Sequence, residues 1–230
     1  MLYLIGIGLD GEKDISLKGL EAIKKCKYVY LENYTSKLNA DIKKLEKLYN
    51  KKIILAGREL VENSEEIIKK AKKENVAFLV IGDVFSATTH INFVLECRKN
   101  SIEYRTIHNA SVLTAIGETG LELYKFGKTT SIPFKNGNIK GPIEVIAKNL
   151  KMNLHTLVLL DLDPPNNRYM DSNEALSYLV KNGIRNNKKV IVCSQLGGDA
   201  EILYSEIKNL LGKKFNKFPQ SIVIPGEKLH

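Results

Sequence analysis

The sequence predicts an α/β protein built from two domains, and three observations predict it. Short apolar runs alternate with segments of helical period almost from end to end, the pattern of layered strands and helices. Several of these runs are continuous and aliphatic, as in strands covered on both faces. The alternation restarts with a different rhythm near residues 110–115. The expected division is an N-terminal α/β domain over 1–112 and a C-terminal α/β domain over 113–230.

In chain order, strands are expected at residues 2–7, 28–31, 52–55, 77–81 and 103–107, then at 129–133, 156–161, 189–193 and 221–224. The first helix begins after Ser16, with Ile15 and Leu20 placed as a hydrophobic staple. The third takes Ser64 as its cap, with Glu65 and Glu66 in the first turn and lysines from 69 to 73 in the last, which suits the helix dipole. Asp171 with Glu174 opens a further helix that Gly183 closes. Asp199 is expected to open the last one, with Ile202, Leu203, Ile207, Leu210 and Leu211 as its apolar stripe and Gly212 as its stop. A turn at Asn136-Gly137-Asn138 after a strand points to some antiparallel pairing in the second half.

Composition narrows the class. Of 230 residues, 43% are hydrophobic and 27% charged, the balance of a soluble globular chain long enough for real cores. The formal net charge is +9, and 30 of the 35 basic residues are lysine. That surface suits an acidic partner, and equally suits plain solvated helix faces. Cys26, Cys97 and Cys193 form no CxxC pair, so neither a disulfide framework nor a zinc site is expected and a reducing cytoplasm fits. No basic leader precedes the first apolar stretch. No apolar run approaches the roughly 20 residues that span a bilayer, so no membrane association is expected.

Gly6-Ile7-Gly8-Leu9-Asp10-Gly11 matches G-x-G-x-x-G after a strand, and Glu32 ends the next strand. On paper this is a dinucleotide fingerprint and would make the protein a nicotinamide or flavin oxidoreductase. The fingerprint works when the helix starts inside the glycine loop and aims its amides at a pyrophosphate. Here the helix signal begins only at Ser16, after a polar insertion. The glycines are better read as a tight turn that lets a ligand approach the backbone.

Open α/β sheets bind ligands beyond the carboxyl ends of their strands. Gly82-Asp83 places a carboxylate at one such end, where it suits a cationic group; Asp83 or Ser86 can equally cap the next helix. His90 reads as a helix residue and His108 as a lone histidine without metal spacing. Asn109 and Ser111 can cap a helix or offer groups to a ligand. Asp161 and Asp163 precede Pro164-Pro165 and read as a turn, and Gln195-Leu196-Gly197-Gly198 again permits close backbone approach. No serine-nucleophile, zinc or Walker motif is present. Such a pocket has few groups for acid–base work and suits a reaction whose reactivity resides in the cofactor.

Taken together, Gly6-Ile7-Gly8-Leu9, the stretch from Asp14 to Ile23, Tyr28-Val29-Tyr30-Leu31-Glu32, Gly82-Asp83 and the stretch from Ser101 to Ser111 resemble tetrapyrrole-methylase-fold enzymes, the class III methyltransferases. Glu32-Asn33-Tyr34-Thr35-Ser36, Ala87-Thr88-Thr89-His90, His108-Asn109-Ala110-Ser111, Arg168-Tyr169-Met170, Gln195-Leu196-Gly197 and Leu229-His230 resemble the diphthamide-biosynthesis branch of that family. The chain departs from the pattern twice. Val84 stands where the family usually has proline, which leaves that loop less rigid, and the sequence stops at His230, where relatives tend to continue.

The resemblance implies two α/β domains with S-adenosyl-L-methionine in the cleft between them, within a homodimer. It implies cofactor contacts at Leu9, Asp83, Ser86, Ser111, Val112, Leu162, Leu196 and His230. Plain core packing is the alternative for the four apolar members. It implies methylation of the amino group on a modified histidine of translation elongation factor 2, with no stable nucleic-acid partner. No general base is identified. Tyr34 and Tyr169 are candidates to face a quaternary ammonium product. The rival readings are a methyltransferase of the same fold acting on a tetrapyrrole or ribosomal RNA, the oxidoreductase above, and a basic RNA-binding module.

Overall fold

The structure is a computed structural model describing residues 1–228. The chain forms two compact units, Met1–Leu113 and a second beginning at Thr114.

The first unit runs β1 (Leu2–Gly6), α1 (Leu17–Lys24), β2 (Tyr28–Glu32), α2 (Ile42–Tyr49), β3 (Ile54–Ala56), α3 (Arg58–Glu62), α4 (Glu65–Ala71), β4 (Val76–Val80), α5 (Ile91–Lys99) and β5 (Tyr104–Ile107). Its sheet has the order β3-β2-β4-β1-β5, and every pair is parallel. Successive strand side chains point to opposite faces, so β1 feeds two cores. Leu2 and Leu4 join Tyr30, Phe78, Ile67 and Phe93 on one face. Tyr3 and Ile5 join Val29, Leu79, Ile23 and Leu45 on the other. This is why β1 and β4 read as unbroken apolar runs.

Helix ends follow local chemistry. Ser16 Oγ accepts from Gly19 N at 3.1 Å, and Asp41 caps α2 through Lys43 N at 2.8 Å. Ser64 makes no such side-chain bond and sits at ψ 0°. A capping side chain needs extended backbone at that position, and α3 ends too close for Ser64 to adopt it.

The second unit opens with α6 (Val112–Ala115), a short helix that straddles the boundary. It continues with β6 (Thr130–Ile132), α7 (Gly141–Lys151), β7 (Thr156–Leu160), β8 (Leu162–Asp163), β9 (Arg168–Tyr169), α8 (Ser172–Lys181), β10 (Lys189–Ser194), β11 (Glu201–Glu206), α9 (Ile207–Leu210) and β12 (Gln220–Ile224). The main sheet has the order β11-β10-β12-β7-β6. Ile146, Leu176, Leu179, Val158, Val192 and Ile222 build its core. Asp171 and Glu174 form a reciprocal capping box on α8, and Gly183 follows that helix at φ 96°.

Two sequence expectations are corrected here. The helix expected from Asp199 is instead an edge strand, β11, paired antiparallel with β10 from Glu201↔Ser194 to Glu206↔Lys189. Ile202 and Leu203 are only half-buried there, and the chain becomes helical only at Ile207. The Asn136-Gly137-Asn138 turn leads into α7, and β6 pairs parallel with β7. The antiparallel pairing of this sheet lies at β7–β12, β12–β10 and β10–β11. Among the described residues, no helix is long and apolar enough to cross a membrane.

Candidate functional site

In the first unit, all five strands point their carboxyl ends to one edge. Beyond β1, Gly8 and Gly82 form an isolated antiparallel bridge, with Gly82 N donating to Gly8 O at 2.7 Å. Both glycines sit at φ 84°, the left-handed region that glycine reaches without strain. A Cβ on Gly6 would lie 2.6 Å from Gly82 O, so the two loops meet backbone to backbone.

Asp14 then closes the glycine loop. Its Oδ2 accepts from Leu9 N at 3.1 Å and Asp10 N at 2.8 Å. These are the amides that a dinucleotide fingerprint would offer to a pyrophosphate, and here a carboxylate occupies them. Glu32 is likewise committed. It is fully buried and accepts from Tyr34 N, Thr35 N, the Thr35 hydroxyl and Ile81 N. Burial pushes its carboxyl above the ordinary range, against the pull of those hydrogen bonds. It cannot also receive ribose hydroxyls.

Leu9, Asp83, Ser86, Ser111 and Val112 all belong to the loops at this edge. A Cβ built on Gly82 would meet Leu9 Cδ2 at 3.8 Å and Ser111 Cα at 3.9 Å, so these two residues converge on the glycine. Asp83 is 8% exposed. Its Oδ1 accepts from Phe85 N at 3.1 Å and from Ser86 Oγ at 3.4 Å. Its Oδ2 accepts from Asn109 N at 3.1 Å and faces His108 Nδ1 at 2.8 Å. Burial opposes ionisation, yet these bonds and the His108 ring outweigh it and hold the carboxyl below its usual range. Asp83 therefore ties the β4 loop to the β5 loop. Neither it nor Ser86 caps α5, which begins at Ile91. Asn109 adds a second tie, donating to Gly6 O and Asp14 O at 3.0 Å each. Val84, in the family's proline position, is wholly buried, and Thr88 Oγ1 donates to its carbonyl at 2.7 Å.

On the other half of the edge, sequence reasoning singled out Tyr34 but missed Arg58, and it read His90 only as a helix residue. Tyr34 follows β2, Arg58 follows β3 and His90 ends the β4 loop. The Arg58 guanidinium lies 5.4 Å from the Tyr34 ring centroid. His90 is 1% exposed and packs edge-on to Phe78 and Tyr34. Burial drives its ring down to about 4 and pushes the Tyr34 hydroxyl up to about 12. These residues are far apart in sequence, and only the strand order brings them together.

In the second unit, β7 and β10 run the same way with β12 reversed between them. Leu162, after β7, and Leu196, after β10, therefore lie at one edge of that sheet. Leu196 is buried and Leu162 half-buried. Asp161 braces this edge as a turn residue, accepting from Phe134 N and Leu162 N at 2.9 Å each. Tyr169 packs on Phe218 with centroids 5.6 Å apart. His230 lies outside the described residues. The last described residues before it are anchored at the opposite edge, where Gly226 N donates to His155 Nδ1 at 2.9 Å and Lys228 N to Asn153 Oδ1 at 2.9 Å. Among the described residues, no group of acids, histidines or cysteines is arranged to hold a metal.

An edge of the first unit made of backbone, glycine and serine fits enzymes whose reactivity is carried by a bound donor. The chain matches the Tetrapyrrole (Corrin/Porphyrin) Methylases over residues 1–210, and it belongs to that family. Within the family its similarity is specific. It is 41% identical to a diphthine methyl ester synthase of Yarrowia lipolytica, over 100% of this chain and 86% of that protein. It is 40% identical to a diphthine synthase of Methanococcus maripaludis, over 100% of this chain and 94% of that one. A crystal structure of diphthine synthase superposes with a TM-score of 0.93 at 33% identity, over 100% of this chain and 91% of that one.

Proposed function

We propose that this protein is an S-adenosyl-L-methionine-dependent methyltransferase of diphthamide biosynthesis. In this reading it methylates the amino group on the modified histidine of translation elongation factor 2, in the cytoplasm and as a homodimer. The observation that carries the reading is identity of about two residues in five along the whole chain to relatives named diphthine methyl ester synthase and diphthine synthase.

When bound, the cofactor supplies an activated methyl group on a sulfonium. The chain's own residues have three tasks. Leu9, Ser86, Ser111 and Val112 in the first unit, with Leu162 and Leu196 in the second, are the residues proposed to hold the nucleoside and exclude water. Asp83 stays ionised at neutral pH because its four hydrogen-bond partners hold it so, and it presents a fixed negative charge to a ligand ammonium. Loops tied together through Asp83 and Asn109 keep donor and acceptor aligned, which supplies several kcal/mol of the barrier.

Neither Asp83 nor His90 is tuned as a general base. Asp83 is shifted too low and His90, at about 4, is a weak base at neutral pH.

The test is transfer of labelled methyl from S-adenosylmethionine to elongation factor 2 carrying the unmethylated intermediate. Label on that histidine is expected, and its absence with an active cofactor site overturns the substrate. S-adenosylhomocysteine is expected to raise the melting temperature by mass action while NAD does not. The reverse would return the protein to the oxidoreductases.

A further inference from the structure

The carboxyl edge of the first sheet is divided by its strand order. In β3-β2-β4-β1-β5, the residues proposed for the cofactor follow β1, β4 and β5. The loops after β2 and β3 carry none of them. Neighbouring strands stand about 4.8 Å apart, so the two halves of the edge lie within roughly 10 Å of each other along it. The β4 loop serves both halves, with Asp83 and Ser86 at its start and His90 at its end. A methyl acceptor must reach the donor in line, and the β2–β3 half is the neighbouring surface.

That half holds an unusual group. Arg58 is exposed and makes no ion pair among the described residues. Its guanidinium lies over the Tyr34 ring at 5.4 Å and borders an open cavity of about 600 Å³ shared with Glu59, Glu62 and Asn63. The aromatic face orients the planar cation and leaves its donors free. Behind it, the Tyr34 hydroxyl lies 3.4 Å from His90 Nε2, a long contact. The His90 ring is almost fully buried, and its Nδ1 makes no hydrogen bond of ordinary geometry. The ring is neutral at pH 7, and with its proton on Nδ1 the Nε2 accepts from the Tyr34 hydroxyl. The Thr89 side chain also hydrogen-bonds to the Tyr34 oxygen, which leaves that oxygen one lone pair for an outside donor. Glu32, and less strongly Glu62, add negative potential at the same hydroxyl, and Arg58 adds the positive.

We propose that Arg58 and Tyr34, backed by His90, form the recognition site for the amino-acid end of the methyl acceptor, with Arg58 binding its carboxylate and the Tyr34 oxygen accepting from its amine. This rests on the function proposed above, since the aminocarboxypropyl arm carries both groups. A guanidinium suits the task because its planar fork matches a carboxylate with two parallel charge-assisted bonds. Arg58 and Tyr34 select and place the acceptor, and His90 acts through Tyr34 as a positioning residue.

The test is steady-state methyl transfer by the full chain to elongation factor 2 bearing the unmethylated arm, compared with the same acceptor whose arm ends in a carboxamide. Arg58→Ala is expected to raise KM for the carboxylate acceptor roughly 10- to 100-fold, the weight of a lost charge-assisted pair. It is expected to leave S-adenosylhomocysteine affinity within about twofold, since Arg58 lies outside the proposed cofactor set. Wild type is expected to discriminate against the carboxamide, and Arg58→Ala to treat both acceptors alike. Arg58→Lys is expected to recover part of the discrimination, and Tyr34→Phe to lower kcat more than it raises KM. Arg105→Ala, which removes another exposed arginine of the same unit, serves as the control for charge alone. An unchanged KM in Arg58→Ala, or equal loss in the Arg105→Ala control, overturns the site while the function stands. A wild-type protein that labels neither acceptor overturns the function and the site together.

Discussion

Asp83 accepts hydrogen bonds from both the β4 loop and the β5 loop with a carboxylate that is nearly out of solvent. Asp83→Asn turns an amide NH2 toward at least one of these donors. Leaving a buried donor unsatisfied costs about 1–3 kcal/mol, so the variant is expected to unfold at lower urea concentration and to bind S-adenosylhomocysteine more weakly. Unchanged values of both in urea titration and calorimetry would remove the bracing role. His90 gives a prediction in pH. Its folded value is about 4 against an ordinary 6.5, so between those values the unfolded chain binds more protons. Its contribution is then complete above the unfolded value and declines as pH falls toward the folded one. The expected loss between pH 7 and pH 5 is about 2 kcal/mol, and His90→Phe, set between Phe78 and Phe93, is expected to abolish that part. Equal acid sensitivity in both proteins would contradict it. The sequence showed Asp83 as a carboxylate at a strand end but not what it binds. Its partners His108 and Asn109 lie 25 and 26 residues away, and no local spacing encodes such a contact.

Elements whose ends are fixed by neighbouring residues were readable in advance, and those fixed by distant pairing were not. The Ser16 cap and the Asp171–Glu174 box lie within one helical turn, and both stand where sequence places them. Asp171→Ala is expected to cost about 1 kcal/mol, the usual weight of an N-cap side chain, read as a lower melting temperature with little change in transfer rate. β11 failed because Ile202, Leu203, Ile207, Leu210 and Leu211 fit helical spacing, and only the β10 ladder, formed by residues 7 to 17 positions earlier, makes the first part a strand. The strand-to-loop turn after β1 was legible as a close backbone approach through its glycines. A Cβ at Gly6 lies 2.6 Å from Gly82 O, so Gly6→Ala forces the two bridged loops apart. Overpacking of this kind costs about 1–3 kcal/mol. S-adenosylhomocysteine is expected to stop stabilising that variant even at temperatures where it stays folded, and retained stabilisation would show that the bridge does not shape the cofactor edge.

At the scale of the whole molecule, the family was legible because its motifs recur in order through nearly the entire chain. What each motif contacts was not, since one edge collects residues from five strands. Charge is the other property that belongs to the whole chain. The net +9 comes mostly from lysine, which supplies 30 of the 35 basic residues. A field of that kind acts on encounter rather than on the fitted complex, and it is screened beyond about 10 Å at 0.1 M salt. If the proposed substrate is a large protein with an acidic docking face, kcat/KM for transfer is expected to fall roughly tenfold as ionic strength rises from about 0.05 M to 0.3 M. Affinity for S-adenosylhomocysteine, for which the proposed contacts are loop backbone and small side chains, is expected to stay nearly constant over the same range. The two curves together distinguish steering from general salt weakening. Parallel decline would mean that salt disturbs the cofactor edge itself. Two flat curves would mean that the lysines only solvate the surface, and that docking depends on local groups such as Arg58.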